Sequence, residues 1–505
     1  MSEPEAPPIV EDEDARRLRG LGYKQELARR LSGFSNFAIS FSIICILAGG
    51  VSSFHLGLSS VGGASIGLGW PLVALFSLAV AATMGQLASA FPTAGGLYHW
   101  AAILGGRGWG WATAWFNLAG LITVLAAINV GTYRTAATAL GYGGGGLESW
   151  GDHLTQVLVV VAITASQAAI NHLGIGVTAK LTDFSGYWIL AVSALLAGCL
   201  LAFAPSWDFG RLVTFQNYSG QAGGGVWPAT ASLALLFALG GLLPAYTITG
   251  FDASAHASEE TLDASASVPR GIVRSVLISG LAGWALLSAV VLAAPSVSEA
   301  AAQGEGAFPW ILRGAFPIWM ASAFAAAIVT AQYLCGLATV TSASRMAFAF
   351  ARDGGLPFSH AIRWVCPKRR SPAVAIWTTS IAAVAFTLYT PVYSTITAVC
   401  TILLYISYVL PSLLGVRAYG KTWTIMGPWN LGRGFRPLAC LSALGCIGLI
   451  AIGMQPPNER SIWAIGAMTV VLAIAWFAGE RKRFPGPPVL REVHRHAVHH
   501  EAAPR

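Results

Sequence analysis

Long stretches without a single Asp, Glu, Lys or Arg dominate this chain of 505 residues. These charge-free stretches are 34–59, 68–106, 108–133, 154–179, 184–207, 212–251, 275–298, 314–344, 371–416, 437–458 and 461–479. A helix needs about 20 apolar residues to cross the hydrocarbon core of a bilayer. Each stretch therefore predicts one spanning helix, except 371–416, which holds two helices divided at Thr390-Pro391. The sequence predicts an all-α membrane protein with twelve transmembrane helices.

The distribution of basic residues predicts the orientation of these helices. In a twelve-helix topology both ends of the chain lie on one face, and all but four of the 30 Lys and Arg residues fall on that face. The four exceptions are Arg134, Arg211, Arg313 and Arg460. Because cytoplasmic loops carry an excess of Lys and Arg, we expect both termini in the cytoplasm and a multi-pass protein of the plasma membrane. The net charge of +8 is then an orientation signal and implies no nucleic-acid partner.

The chain divides into segments by charge and hydropathy. The expected segments are a mobile cytoplasmic tail (1–33), helices 1–5 (34–207), an outer loop (208–226), helices 6–10 (227–415), a cytoplasmic loop (416–436), helices 11 and 12 (437–479) and a second cytoplasmic tail (480–505).

Two predicted helices contain residues that interrupt a helix. Helix 1 contains Ala48-Gly49-Gly50 near its centre, and helix 6 contains Pro244 and Gly250. A broken helix in mid-membrane persists only where it faces protein or a water-filled cavity. Breaks at corresponding places five helices apart are typical of transporters built from inverted repeats. The sequence therefore predicts a five-plus-five inverted repeat with discontinuous helices 1 and 6. For helix 1 the alternative is a continuous helix with packing glycines.

Side chains and backbone groups at the two breaks are the candidate substrate site. A half-helix that starts after Gly50 offers N–H groups to a carboxylate, and carbonyls ending the first half of helix 6 suit an ammonium group. Phe251 is a candidate lid, and Asp252 is a carboxylate at bilayer depth unless it already lies at the cytoplasmic end of its helix. The candidate substrate-binding residues are Ala48, Gly49, Gly50, Val51, Thr249, Gly250, Phe251, Asp252 and Gln332.

Two further residues are candidates for ion coupling, with protons or sodium as the coupling ion. The ammonium of Lys180 at the start of helix 5 is a substitute for a sodium ion, although an ordinary lysine at a cytoplasmic helix end is the alternative. Gln86 lies in helix 2. The stretch 415–422 fits a phosphate-loop pattern but follows a membrane helix instead of a strand, so it is a chance match. We expect no catalytic residue, no metal site and no cofactor.

Four stretches carry a resemblance to a known family. These stretches are 90–98, 249–261, 345–357 and 427–433. Together they resemble the amino acid–polyamine–organocation superfamily, and most closely its amino acid–choline branch, which includes 4-aminobutyrate and choline permeases. The resemblance implies the five-plus-five fold, secondary active transport and a substrate held between the two breaks. This family usually has Glu where Gln86 stands here.

We therefore expect a secondary active transporter that moves an amino acid or related small amine by alternating access. A choline or polyamine permease is the alternative substrate class. A substrate sensor that does not transport is the alternative of another kind, and a channel is a third. The small-molecule substrate and the lipid bilayer are the expected partners.

Overall fold

The computed structural model describes residues 13–140, 150–389 and 393–490, and the named elements in these ranges are all helices. The α-helices are α1 (Glu13–Gly20), α2 (Gly33–Ile44), α3 (Phe54–Val61), α4 (Trp70–Ala90), α5 (Leu97–Gly105), α6 (Arg107–Ala139), α7 (Trp150–His172), α8 (Ile175–Phe203), α9 (Leu233–Gly240), α10 (Leu242–Thr247), α11 (Ala253–His256), α12 (Ala264–Ala293), α13 (Val297–Ala302), α14 (Ala307–Ala315), α15 (Ile318–Arg352), α16 (Ser359–Ile362), α17 (Ala373–Tyr389), α18 (Tyr393–Ala418), α19 (Phe435–Gly453), α20 (Arg460–Ala475) and α21 (Arg481–Arg483). Three π-helical turns join them, at Ile46–Gly50, Ser65–Gly69 and Trp476–Glu480.

Among the described residues, 10 helical segments are long and apolar enough to cross a membrane. Two shorter apolar segments, Leu233–Thr247 and Ala373–Leu388, add to them. The prediction of an all-helical membrane protein is confirmed. The predicted division at Thr390-Pro391 lies outside the described residues.

Small residues allow the long helices to approach one another closely. Trp70 of α4 is fully buried against Gly283 of α12, where a β-carbon would collide with the indole ring. The same indole nitrogen donates to the Gly280 carbonyl at 2.8 Å. Membrane helices lack a hydrophobic drive toward each other, so such close contacts and hydrogen bonds hold them together.

The part of the predicted tail that the structure describes, residues 13–32, packs against the bundle. Leu18, Leu27 and Leu31 within residues 13–32 are all buried. The Leu31 N–H donates to the Glu260 carbonyl at 2.8 Å, and the Leu31 carbonyl accepts from Leu262 at 2.9 Å. The sequence did not indicate this packing, because four leucines among many charges give no helical or strand period. We call the side of the bundle that carries this segment the tail face.

The opposite face is covered by the connection between α8 and α9. The Tyr218 N–H donates to the Ser60 carbonyl at 3.1 Å, and the Arg211 guanidinium donates to the Ala294 carbonyl at 2.6 Å. This connection therefore packs on the end of α3 and on the end of α12. The interruptions described next lie between the two faces.

Candidate functional site

The first interruption lies between α2 and α3. Cys45 leaves the helical region with φ 17° and ψ 89°, and a π turn follows at Ile46–Gly50. The Cys45 carbonyl accepts hydrogen bonds from the N–H groups of Ala48 at 2.8 Å and Gly49 at 3.0 Å. The chain therefore departs from helical geometry at Cys45, three residues before the predicted position, and the Gly49 N–H is paired. The glycines instead form the wide turn that follows.

The second interruption separates α10 from α11 and covers residues 248–252. Gly250 has a φ of +83°, a left-handed conformation that side chains disfavour. This interruption includes the Thr249 to Asp252 stretch that the sequence singles out. Gly250 accounts for it, because glycine accepts the reversed φ, whereas Pro244 lies earlier, inside α10.

Hydroxyl groups satisfy the carbonyls that the second interruption exposes. The Tyr405 hydroxyl donates to the Ala245 carbonyl at 3.3 Å, and the Thr249 hydroxyl donates to the Tyr246 carbonyl at 2.7 Å. These bonds replace the backbone partners that a continuous helix would supply. A ligand ammonium group is chemically able to take the place of either hydroxyl.

The two interruptions lie directly against each other. A β-carbon added at Gly49 would lie 2.9 Å from the Thr247 α-carbon, closer than packed atoms allow. On the tail side, the Ser40 hydroxyl of α2 donates to the Phe251 carbonyl at 2.8 Å. Ile43 packs on Gly250 at a distance that leaves no space for a side chain there. The first interruption therefore packs on the end of α10, and α2 packs on the second interruption.

A buried polar network lies on the tail side of the second interruption. Asp252, which is fully buried, accepts from the Asn117 amide at 2.9 Å and from the Tyr408 hydroxyl at 2.8 Å. The His256 ring nitrogen lies 3.2 Å from the same carboxylate. The Tyr408 hydroxyl also accepts from the Gly250 N–H at 3.0 Å. One hydroxyl thus joins the interrupted backbone to the carboxylate.

Two predicted site residues line the meeting point of the interruptions. The Phe251 ring is buried and packs on the Tyr408 ring, with centroids 5.0 Å apart. Gln332 of α15 is also buried, and its amide nitrogen lies 3.4 Å from the Leu47 carbonyl in the π turn. Its side-chain oxygen has no hydrogen-bond partner among the described residues. An unpaired buried carbonyl is costly and is free to receive a donor from a ligand.

The two candidate coupling residues lie elsewhere. Lys180 is exposed near the start of α8. Gln86 of α4 is fully buried, and its oxygen accepts from the Leu431 N–H at 2.8 Å while its nitrogen lies 3.4 Å from the Met426 sulfur. Gln86 therefore fastens the connection between α18 and α19 to the bundle.

A small cavity borders the interruptions on the side away from the tail face. It is about 30 Å³ in volume, which is room for one or two water molecules. Its lining includes Ser53 after the π turn, Tyr246 of α10, and Thr397 and Thr401 of α18. The space is too small for an amino acid in this conformation.

A layer of buried ion pairs closes the tail face. Arg352 makes two hydrogen bonds to Glu259, at 2.9 and 2.8 Å, and Arg345 makes two to Glu260, at 2.8 and 3.1 Å. The Arg352 guanidinium also lies 3.9 Å from the centre of the Tyr23 ring. All four charged side chains are buried, so this layer separates the interruptions from solvent on the tail face.

A second group in this layer centres on Asp353. One of its oxygens accepts from Tyr23 at 2.7 Å and from Tyr98 at 2.6 Å, and lies 3.0 Å from a His99 ring nitrogen. Burial opposes ionisation, but the hydrogen bond and charge of His99, helped by Arg352, hold the pKa of Asp353 below its ordinary value. This group pins the N-terminal segment to α5 and to the end of α15.

The charge of Arg352 has a comparable effect on Glu259. Burial raises its pKa, but the Arg352 charge and hydrogen bonds outweigh burial and leave the pKa below its ordinary value. Sequence reasoning did not identify these pairs, although the 249–261 and 345–357 stretches contain both partners. The acidic residues of the first stretch and the basic residues of the second could have predicted ion pairs between the two stretches.

An all-helical membrane protein with two interrupted helices meeting at a buried polar centre has the architecture of a transport protein. Comparison with protein families gives its class directly. A model of the amino acid permease family matches residues 31–477, and the chain belongs to this family. The resemblance to the wider superfamily is confirmed, and the protein is a transporter instead of an enzyme.

Named relatives match most of the chain. Amino-acid permease BAT1 of Arabidopsis thaliana is 30% identical over 512 residues, which cover 95% of this chain and 97% of that protein. The BAT1 homolog of Oryza sativa is 30% identical, and the match covers 93% of this chain and 95% of that protein. The GABA-specific permease of Saccharomyces cerevisiae is 31% identical over 384 residues, or 72% of this chain and 64% of that protein.

Proposed function

We propose that this protein is a twelve-span secondary active transporter that moves an amino acid or related small amine by alternating access. In this proposal the spans form a five-plus-five inverted repeat, with the interrupted helices as its corresponding first members. The protein lies in the plasma membrane with both termini in the cytoplasm, so the tail face is cytoplasmic. Relatives named as amino-acid and GABA permeases support the substrate class.

The observation that carries this proposal is the contact between the two interruptions at Gly49 and Thr247. Interrupted helices leave backbone N–H and C=O groups without the intrahelical partners of a continuous helix, and these groups carry partial charge. Where two such interruptions meet, N–H groups with partial positive charge and carbonyls with partial negative charge lie close enough to bind the two ends of one small zwitterion.

The substrate amine is expected at the end of α10. The Ala245 and Tyr246 carbonyls carry partial negative charge there, and the unpaired oxygen of Gln332 adds a further acceptor. The substrate carboxylate is expected at the π turn. The Cys45 carbonyl accepts two N–H groups, so the Gly49 N–H can turn to a carboxylate while Ala48 keeps its bond.

The closed tail face and the small cavity on the other side fit one stage of alternating access. Ion pairs of Glu259 and Glu260 with Arg352 and Arg345 close one path. The cavity beside Ser53 and Tyr246 is the start of the other path. Transport then requires the buried ion pairs to separate, which exposes the site to the tail face.

A competition uptake panel in proteoliposomes tests the proposal. Purified protein is assayed with labelled 4-aminobutyrate, and unlabelled amino acids, choline and putrescine are added as competitors at two external pH values. We expect saturable uptake and counterflow, with competition from amino acids carrying both an amine and a carboxylate. Competition by choline or putrescine alone would identify the other substrate class. Binding without counterflow would make the protein a sensor, and flux without saturation would make it a channel.

A further inference from the structure

The contact between His256 and Asp252 requires one proton more than a neutral histidine and an ionised carboxylate carry together. The His256 Nδ1 lies 3.0 Å from the Ala94 carbonyl. A carbonyl oxygen only accepts, so Nδ1 must carry a hydrogen. The other nitrogen, Nε2, lies 3.2 Å from Asp252 Oδ2. A neutral ring protonated at Nδ1 would place a lone pair against a carboxylate oxygen, which is repulsive.

The other partners of Asp252 show where that proton resides. The Asn117 amide donates to Oδ2 at 2.9 Å. The Tyr408 hydroxyl accepts the Gly250 N–H, so its own hydrogen points to Oδ1 at 2.8 Å. Hydrogen bonds to both oxygens favour the ionised carboxylate. The proton therefore belongs to the ring, which makes His256 an imidazolium paired with the Asp252 carboxylate.

Other charges nearby are already neutralised. Along the same segment, Glu259 and Glu260 are paired with Arg352 and Arg345. From α18 the facing groups are Tyr408 and the Ser407 hydroxyl, which lies 3.2 Å from the Asn117 amide. His99 of α5 is bonded to Thr93 and Asp353 instead. Loss of one proton from the pair would thus leave one uncompensated negative charge in a fully buried site, which is unfavourable.

We propose that Asp252 and His256 form a proton-binding site that couples proton movement to transport toward the tail face. The pair holds its proton while the tail face is closed. When the tail-face layer separates, His256 loses the Ala94 carbonyl, the ring returns to its neutral form, and the proton leaves to water on that side. Tyr408 links this event to the substrate site, because it bonds both Asp252 and the Gly250 N–H.

This inference rests on the proposed transport function for its consequence, but its structural part has an independent test. Full-length protein labelled with ¹⁵N-histidine is purified in detergent at pH 7.5, and the His256→Gln variant identifies the His256 signals by their loss. We expect both ring nitrogens of His256 to show the shifts of a protonated imidazolium. A neutral ring with an unprotonated Nε2 would overturn the proposal. His360→Gln, at an exposed position, is the matched control and must leave those signals unchanged.

A transport experiment tests the coupling. Proteoliposomes take up labelled 4-aminobutyrate with and without a pH gradient, and counterflow is measured without one. A gradient of about two pH units can drive up to about 100-fold accumulation at one proton per substrate. We expect His256→Gln, which changes no residue of the candidate substrate site, to lose gradient-driven accumulation and keep counterflow. Accumulation equal to that of the unchanged protein would refute coupling. If the wild-type protein shows no counterflow, the proposed function fails for 4-aminobutyrate. The ¹⁵N measurement still decides whether the His256 ring carries the proton.

Discussion

Replacing Gly49 with alanine tests the contact between the two interruptions. The added β-carbon would lie 2.9 Å from the Thr247 α-carbon and 3.1 Å from its hydroxyl oxygen. The Thr247 α-carbon belongs to the backbone and cannot rotate away as a side chain would, so the π turn and the end of α10 must separate. Overpacking of this kind costs about 1–3 kcal/mol. If that cost falls on the conformation that holds substrate, substrate affinity drops about 5- to 150-fold.

The neighbouring glycine provides a matched control. A β-carbon at Gly50 meets Leu287 side-chain atoms at 3.6 and 3.7 Å and the Thr247 methyl at 3.9 Å, which are ordinary contacts. Gly50→Ala therefore changes stability by less than about 1 kcal/mol. Both variants are purified, their melting temperatures are measured in detergent, and uptake is compared at several substrate concentrations. Gly49→Ala with unchanged uptake and melting temperature would refute the reasoning, as would equal damage from Gly50→Ala.

Three further perturbations probe the surroundings of the site. Tyr408→Phe leaves the buried Gly250 N–H unpaired at a cost of about 1–3 kcal/mol, so its melting temperature should fall; an unchanged value would contradict the network. Gln332→Leu removes an unpaired oxygen, so we expect a KM raised about 10-fold with no loss of stability; an unchanged KM would exclude contact with substrate. The lowered pKa of Glu259 beside Arg352 stabilises the fold above the ordinary carboxyl pKa, and this stability is lost as pH falls through the lowered value. Melting curves from pH 7 to 4 should therefore show a steeper decline for the unchanged protein than for Glu259→Gln, and parallel curves would contradict the assignment.

The sequence was sufficient to predict the helical spans and the second interruption. Runs without charge have one stable form inside a bilayer, so their lengths alone predict the helices. Gly250 acts locally, because it takes a left-handed φ that other residues disfavour. No information about neighbouring helices is needed for these features.

The position of the first interruption could not be read in the same way. Glycine pairs are common in membrane helices, and the chain bends at Cys45, ahead of the glycine that packs on Thr247 of another helix. The packing of residues 13–32 was missed for a similar reason. Their polar composition indicates a solvated tail, whereas their backbone pairs with the segment around Glu260 across more than 200 residues.

The polar network was only half predicted. Asp252 was a candidate because a carboxylate in a membrane helix is expensive. Its partners Asn117, Tyr408 and His256 come from three helical segments, and their convergence is a property of the packed bundle. Only the four-residue spacing of Asp252 and His256 was visible beforehand, since such spacing places two side chains on one helical face.

The most direct test of the account is a cryo-electron microscopy map of the protein in lipid nanodiscs with the substrate that the competition panel identifies. We predict density for the substrate between the π turn at Ile46–Gly50 and the end of α10, with its amine near the Ala245 and Tyr246 carbonyls. Density bound away from both interruptions, with Gly49 still packed on Thr247, would contradict the central claim that the meeting of two broken helices forms the substrate site.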